Sequence, residues 1–477
     1  MYGSGGIFLA ISEETEQLQG LAFAMQRAKE RNESVLFSHV KKIEYKNPLS
    51  FYQAGREQYA GERFFWQDPA KEITITGLGN IKKLQATASA NRYKQVEKCW
   101  LKLQNAAVQS GVRDVDATGP LLFGGFSFDY EQSSSLLWNQ FGDNLFYIPA
   151  YMLSIVKGEA YLTTNILCSP EDQEQLFIHM INEREEFLVE RLENREVPTN
   201  ALVEQREIRP TEWKQTVAKA VDEMKHSDLD KIVLARELRV VFQDRIVSEK
   251  VLETLMVEQP TSYIFSFEAG GDCFIGATPE QLIKKKGNEV FSVCLAGSIA
   301  RGKSQEEDTR LGDELLHDSK NRMEHQYVVS MITNALQTLC EKIIVPDEPE
   351  LMKIRHIQHL YTPVKGMCGG DATIFDFVEK LHPTPAMGGL PKEKAVVRIR
   401  EIEGLERGLY AGPLGWVDSY GNGEFAVGIR SALLQGNEAS LFAGCGVLED
   451  SLPESEYQET GIKFNPMLSA LGGHLHD

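Results

Sequence analysis

Apolar and polar positions along the chain change period several times, and each change predicts an element. Up to about residue 165, short apolar runs alternate with turns. Arg63-Phe64-Phe65-Trp66, Glu72 to Gly77 and Leu121 to Asp129 predict strands of an antiparallel sheet, with helices around 15–30 and 91–110 between them. Residues 183–209 carry eight Glu and five Arg, which predicts a solvated helix followed by a connector. This segment closes an N-terminal part, 1–209, and a second region spans 210–477. There Trp213, Val217, Val221 and Met224 recur at helical spacing. Apolar runs at 231–242, 262–268, 273–277 and 289–296 follow, separated by Ala269-Gly270-Gly271-Asp272 and Gly287-Asn288, and read as a β-meander. Helices over 305–317, 320–343 and 392–403, a hairpin turning at Tyr420-Gly421-Asn422-Gly423, a strand through 440–447 and a closing helix from about 453 complete the prediction. The fold class is α/β in the broad (α+β) sense.

The 477 residues hold 50 Lys+Arg against 69 Asp+Glu, a formal net charge of −19. That balance disfavours nucleic acid and an anionic membrane surface, both of which call for a basic face, so neither is expected as a partner. A small anionic substrate would need local cations. No apolar run reaches the roughly 18 residues of a spanning helix. Glu13, Glu14 and Glu16 near the start, with no basic n-region, argue against a secretory signal. Seven scattered cysteines, none paired as C-x-x-C, predict reduced thiols and a cytoplasmic location.

Several residues carry candidate chemistry. Lys231 opens a predicted strand and shares a face with Val233 and Ala235. It is either a surface lysine or a desolvated one suited to general-base work. Arg430 sits among Ala426, Gly428 and Ala432 on one face of an apparent strand, Glu424 to Leu434. Space for a ligand carboxylate and a structural salt bridge are both open readings. On the closing helix, after a Ser451-Leu452-Pro453-Glu454 capping box, Glu456, Glu459 and Lys463 share a stripe. That stripe is either a solvated salt-bridge face or, with Glu324 from another helix, an oxygen-donor set suited to Mg²⁺. His356 and His359 lack further ligands for zinc. Gly297 to Ser304 matches the P-loop pattern G-x-x-x-x-G-K-[ST]. A hairpin strand before it and Glu306, Glu307 and Asp308 at the helix start argue against a nucleotide phosphate there.

Taken in order, Lys231-Ile232-Val233-Leu234-Ala235-Arg236, Gly276-Ala277-Thr278-Pro279-Glu280, Leu295-Ala296-Gly297-Ser298, Glu324-His325, His382-Pro383-Thr384-Pro385-Ala386, Gly423 to Ser431, Ala443 to Val447 and Glu456-x-x-Glu459-Thr460-x-x-Lys463 resemble the chorismate-utilising enzymes across about 210–470. Phe123 to Asp129 and the long N-terminal portion are similar to the menaquinone-type isochorismate synthases. The resemblance implies antiparallel sheets stacked face to face with helices outside and the site between them, and it implies chorismate and Mg²⁺. A lysine at position 231 matches the isochorismate and salicylate branches, and ammonia-using anthranilate-type members lack it. Ala296 stands where aminodeoxychorismate synthases carry a nucleophilic lysine, and the Leu-Leu-Glu-Ser motif of tryptophan-regulated relatives is absent. Isochorismate synthase is therefore the expected branch, with no glutaminase subunit.

By the same resemblance, Lys231 is the base for water and Glu280 the acid for the departing hydroxyl. Glu324, Glu459 and Glu456 hold the metal. Arg430 with the Gly444 backbone binds the enolpyruvyl carboxylate, and Gly297 with Lys463 attends the ring carboxylate. Asn321 departs from the family pattern, which has an acidic residue three before the metal-binding glutamate.

Overall fold

The structure, a computed structural model, describes residues 13–132, 136–173, 200–353 and 357–473. Among the described residues, twenty-one strands join into one continuous sheet. Every pairing in it is antiparallel except that of Val35–Ile43 with Val108–Gly111. The sheet takes strands from both parts of the chain: Arg63–Gln67 pairs with Tyr263–Ala269, and Leu121–Phe126 with Pro413–Asp418.

The long strands Ile73–Leu84 and Asn144–Val156, which pair across a register shift at Asn80/Lys82, carry the sheet from one arm to the other. One arm runs through Arg63–Gln67, Tyr263–Ala269, Asp272–Thr278, Ser431–Gln435 and Glu438–Val447 to Lys231–Phe242. The other runs through Leu121–Phe126, Pro413–Asp418, Gly423–Val427, Gln281–Lys286 and Glu289–Ala300 to Ile357–Cys368. The arms face each other through aromatic rings. Phe123 stacks on Phe64 at 4.2 Å between centroids and meets Phe267 edge-on at 5.4 Å. Each such pair adds about 0.5–1.5 kcal/mol beyond its area burial.

Strand Tyr263–Ala269 illustrates why the runs near it are apolar on both faces. Phe265 and Phe267 point into the inter-arm core, while Ile264 points into a second core under helix Ser248–Glu258, with Leu252 and Leu255. A strand covered on both sides needs no polar face.

Most predicted elements are present, including helices Glu13–Arg31, Arg92–Ala106, Gln305–His317, Lys392–Ile402 and Pro453–Ala470. Four expectations need correction. The predicted meander is two separate hairpins, 263–278 and 281–300, because Lys231–Phe242 pairs instead with Glu438–Val447. The helix expected over 320–343 stops earlier, as Ser319–Gln337, and Cys340–Ile344 is a strand rich in β-branched residues. Within the charged connector, 183–199 lies outside the described residues, and Leu202–Glu207 is a strand on Lys231–Phe242. The Ser451 capping box does not form. Pro453 occupies the first helical turn, and Ser451 Oγ donates to Glu456 Oε1 at 2.7 Å. No helix among the described residues is long and apolar enough to cross a membrane.

Candidate active site

Residues distant in the chain converge where the two arms meet. Lys231 begins its strand with an almost covered side chain, 12 % exposed, and its Nζ donates to Glu324 Oε1 at 2.8 Å. Gly446, on the neighbouring strand, makes room for it. A Cβ there would lie 2.7 Å from Lys231 Cε, closer than real side-chain contacts allow. Lys463, on the closing helix, donates to Gly444 O at 2.9 Å and to Glu459 Oε1 at 2.6 Å. Its aliphatic stem thus bridges helix and strand beside the lysine pocket.

Glu280 follows strand Asp272–Thr278 and is recessed among these groups. Burial pushes its carboxyl up to about 7, even though Lys231, Lys463, the Thr384 hydroxyl and Arg430 all pull the other way. Near neutrality this carboxyl therefore retains a proton to give. Thr384 is supplied by a loop that begins with the cis His382–Pro383 bond.

Arg430 is not on a strand, contrary to the alternation read from sequence. Strand Gly423–Val427 ends first, and Arg430 adopts the left-handed conformation at φ 50° before Ser431–Gln435 begins. A non-glycine residue there is costly and persists only where its surroundings hold it. Burial lowers the pKa of its guanidinium, and Tyr410, Glu459 and Glu280 act against that. Among the described residues no hydrogen bond or salt bridge engages the guanidinium, so the salt-bridge reading fails and a cation stands free to receive an anion.

Gly297 is a β-bulge in Glu289–Ala300, marked by the register shift between Ala296 and Ser298 against Ile357–Cys368. Its φ of 77° favours glycine, and a Cβ there would come within 3.2 Å of Asn321, tighter than most such contacts. Asn321 bonds to Asp318 Oδ1 through its backbone N–H at 2.7 Å and its Nδ2 at 2.8 Å, so it finishes the turn below Glu324. Next to the bulge, His359 Nδ1 meets Ser298 Oγ at 2.6 Å, and burial together with Arg430 and Lys463 pulls the imidazole down to about 4. His359 is therefore neutral and close to the two cations. His356 lies outside the described residues.

Beyond the bulge the P-loop resemblance fails on geometry. The strand continues to Ala300 in an antiparallel pair. The start of helix Gln305–His317 is filled by its own acids: Asp308 Oδ1 accepts from Gly302 N at 2.9 Å and from Arg301 Nε at 2.7 Å, and Glu307 Oε2 accepts from Lys303 N at 2.7 Å. A phosphate would find carboxylates in its place.

The three glutamates expected at a metal differ in environment. Glu324 and Glu459 are partly open and each is engaged by a lysine. Glu456 has one oxygen bound to Ser451 and the other, Oε2, buried with no hydrogen-bond partner among the described residues. Among the described residues no three acidic, His or Cys side chains are already gathered as a metal cluster. The donors are nevertheless all carboxylate oxygens, the kind Mg²⁺ prefers, and the orphaned Oε2 lacks a partner that a cation would supply.

Sequence reasoning missed Tyr410, Gly446, Glu403 and Arg407. Tyr410 is buried, stacks on Phe442 and points its hydroxyl towards Gly444. Gly446 had a readable signal, the second small residue in Gly444-Cys445-Gly446, alternating onto the face beside Lys231.

A recessed acid, an almost covered lysine, an arginine unpartnered among the described residues and carboxylates from two helices are gathered in one place, a set suited to a small multiply charged anion. The family model for chorismate binding enzyme matches residues 23–472, and the chain belongs to that family. Among its relatives, isochorismate synthase MenF of Bacillus subtilis strain 168 is 46% identical over 455 residues, covering 94% of this chain and 96% of the relative. The salicylate biosynthesis isochorismate synthase of Pseudomonas aeruginosa is 34% identical over 460 residues, 94% of each. The solved structure of MenF, the menaquinone-specific isochorismate synthase of Escherichia coli, superposes with a TM-score of 0.76 at 23% identity, covering 95% of this chain and all of that one, which agrees with the fold described above.

Proposed function

We propose that this protein is an isochorismate synthase serving menaquinone biosynthesis, an isomerase that moves the ring hydroxyl of chorismate from C4 to C2. The observation that carries the residue-level reading is the juxtaposition of a carboxyl at about 7, Glu280, with Lys231 across one cleft. The exchange needs an acid and a base at once. Lys231 accepts a proton as water attacks C2, both double bonds of the ring diene shift towards C4, and Glu280 protonates the C4 oxygen as the C4–O bond breaks. Hydroxide is a poor leaving group, so the acid matters as much as the base.

Arg430 takes the enolpyruvyl carboxylate with its planar fork, assisted by Gly444. Lys463 and the backbone at Gly297 attend the ring carboxylate. Neutral His359 adds no charge beside them. Glu324, Glu459 and Glu456 would hold Mg²⁺, which supplies positive charge at a substrate carboxylate when bound. Glu324 Oε1 accepts from Lys231 Nζ at 2.8 Å, so a cation held by Glu324 would compete with the lysine for that carboxylate's charge.

With every role met by this chain, no glutaminase subunit, nucleic acid or membrane is required. The seven free thiols suit a cytoplasmic setting. Incubation with chorismate and Mg²⁺, with products resolved by chromatography, tests the reading. Isochorismate is expected, and EDTA is expected to abolish its formation. Salicylate with pyruvate, or turnover only with ammonia, would assign a different branch.

A further inference from the structure

The strand Lys231–Phe242 is paired along one side by Glu438–Val447, in register from Ile232 to Val241. Its other side has a gap. Gly389–Leu390 pairs only at Ile232 and Lys231, and Val233 N–H donates to Gly388 O at 2.9 Å. Leu202–Glu207 takes over from Leu238, just after Ile208 N–H reaches Glu237 O. Between these neighbours, the outward carbonyl of Val233 and both outward backbone groups of Ala235 have no strand to meet.

Side chains meet them instead. Arg407 Nη2 donates to Val233 O at 2.7 Å, Glu403 Oε2 accepts from Ala235 N at 2.7 Å, and Trp213 Nε1 donates to Ala235 O at 3.0 Å. Arg407 and Glu403 also bond each other twice, Nη2 to Oε2 at 2.6 Å and Nε to Oε1 at 2.8 Å, with side chains 1% and 0% exposed. Taking two charges out of water is expensive, and apolar residues would fill the same volume more cheaply. Apolar residues, however, cannot satisfy two backbone groups of a buried strand. Arg407 has a further bond, Nη1 to Met387 O at 2.9 Å. It therefore ties this strand, two residues from Lys231, to the loop that presents Thr384 beside Glu280.

We propose that Glu403 and Arg407 are positioning residues, a buried ionic splice that stands in for a missing strand and fixes Lys231 relative to Glu280. This rests on the acid–base reading above. Neither side chain is assigned to touch substrate, so their influence runs through placement.

Arg407→Lys offers one point donor for acceptors on two segments. It is expected to lower kcat about 10- to 100-fold while KM for chorismate stays within about threefold, since Arg430 and Lys463 are untouched. Amide hydrogen exchange in the 231–236 segment should quicken in the same folded variant. Wild-type kcat in folded Arg407→Lys, or a lowered kcat with unchanged exchange in 231–236, would overturn the proposal. If Arg407→Lys fails to fold, Glu403→Gln keeps the side-chain shape but replaces one carboxylate oxygen, so it loses a bond to Arg407 or to Ala235 N and should still lower kcat several-fold with faster local exchange; wild-type values of both overturn the proposal. Absence of isochorismate from the wild-type protein would instead sink the functional reading, and the exchange comparison would judge the splice independently.

Discussion

Replacing Glu280 by Gln separates catalysis from stability more cleanly than any other single change. The carboxyl lies at about 7 against an ordinary 4.5 because burial opposes its charge. That gap corresponds to roughly 3 kcal/mol, trimmed to about 2 kcal/mol because the group is partly open to the cleft. The sign follows from proton counts. Between pH 4.5 and about 7, the folded protein holds a proton at Glu280 that the unfolded chain has released, so stability falls as pH rises through that window. Above it the full penalty applies. Glu280→Gln keeps the shape and removes the titration, so it should be more stable than the parent by about 2 kcal/mol at pH 8.5, and should show none of that gain at pH 4.5. For a chain of this length that amounts to about 2 °C in Tm. The same change removes the proton donor and should lower kcat about 10²- to 10⁴-fold. In the parent, kcat/KM should decline about tenfold per pH unit above about 7, as the acid is lost from the free enzyme. Chromatographic product assays across pH 6–9.5 and melts at the two pH values read all of this. A variant that keeps more than about a tenth of kcat, or one equally destabilised at both pH values, would refute the assignment of Glu280 as a buried proton donor.

Other outcomes follow from the same geometry. Lys231→Ala should lower kcat by a similar 10²- to 10⁴-fold with an unchanged melt, and retained turnover would remove Lys231 as base. Gly446→Ala places a methyl 2.7 Å from Lys231 Cε, so kcat should drop about tenfold or more while KM changes little; equal kcat would mean the lysine is not held there. Arg430→Lys replaces a planar fork by a point charge and should raise KM for chorismate about 10- to 100-fold with a smaller effect on kcat. Glu456→Gln should weaken Mg²⁺ binding measured by calorimetry in the absence of chorismate, and an unchanged affinity would exclude Glu456 from the metal site.

Much of the chemistry could be read before any coordinates. Lys231, Glu280, Glu324, Arg430, Glu459 and Lys463 stand in short runs whose order carries the family resemblance, and the structure draws them into one cleft. The periodicity also placed most helices correctly, because an amphipathic stripe such as Trp213, Val217 and Met224 records which side meets the core. Strand partners were less accessible. Alternation tells which residues share a face but not which strand lies alongside, so Lys231–Phe242 was placed in a meander when its true neighbour lies two hundred residues later. Arg430 poses a related problem: a strand, a left-handed turn and another strand produce nearly the same apolar pattern as one long strand.

By itself the sequence determined the inventory of groups, their local spacing and the global acidity of −19 that any anion must overcome. The tertiary structure decided how those groups are placed and paired. It left the guanidinium of Arg430 unpaired among the described residues, buried Glu280 until its carboxyl rose to about 7, and filled the start of helix Gln305–His317 with Asp308. It also turned Glu403 and Arg407, unremarked in the chain, into the edge of a strand. The physical reason is common to all four. Solvent exclusion and pairing are properties of neighbours brought together by folding, and a residue's type fixes its chemistry only after those neighbours are in place.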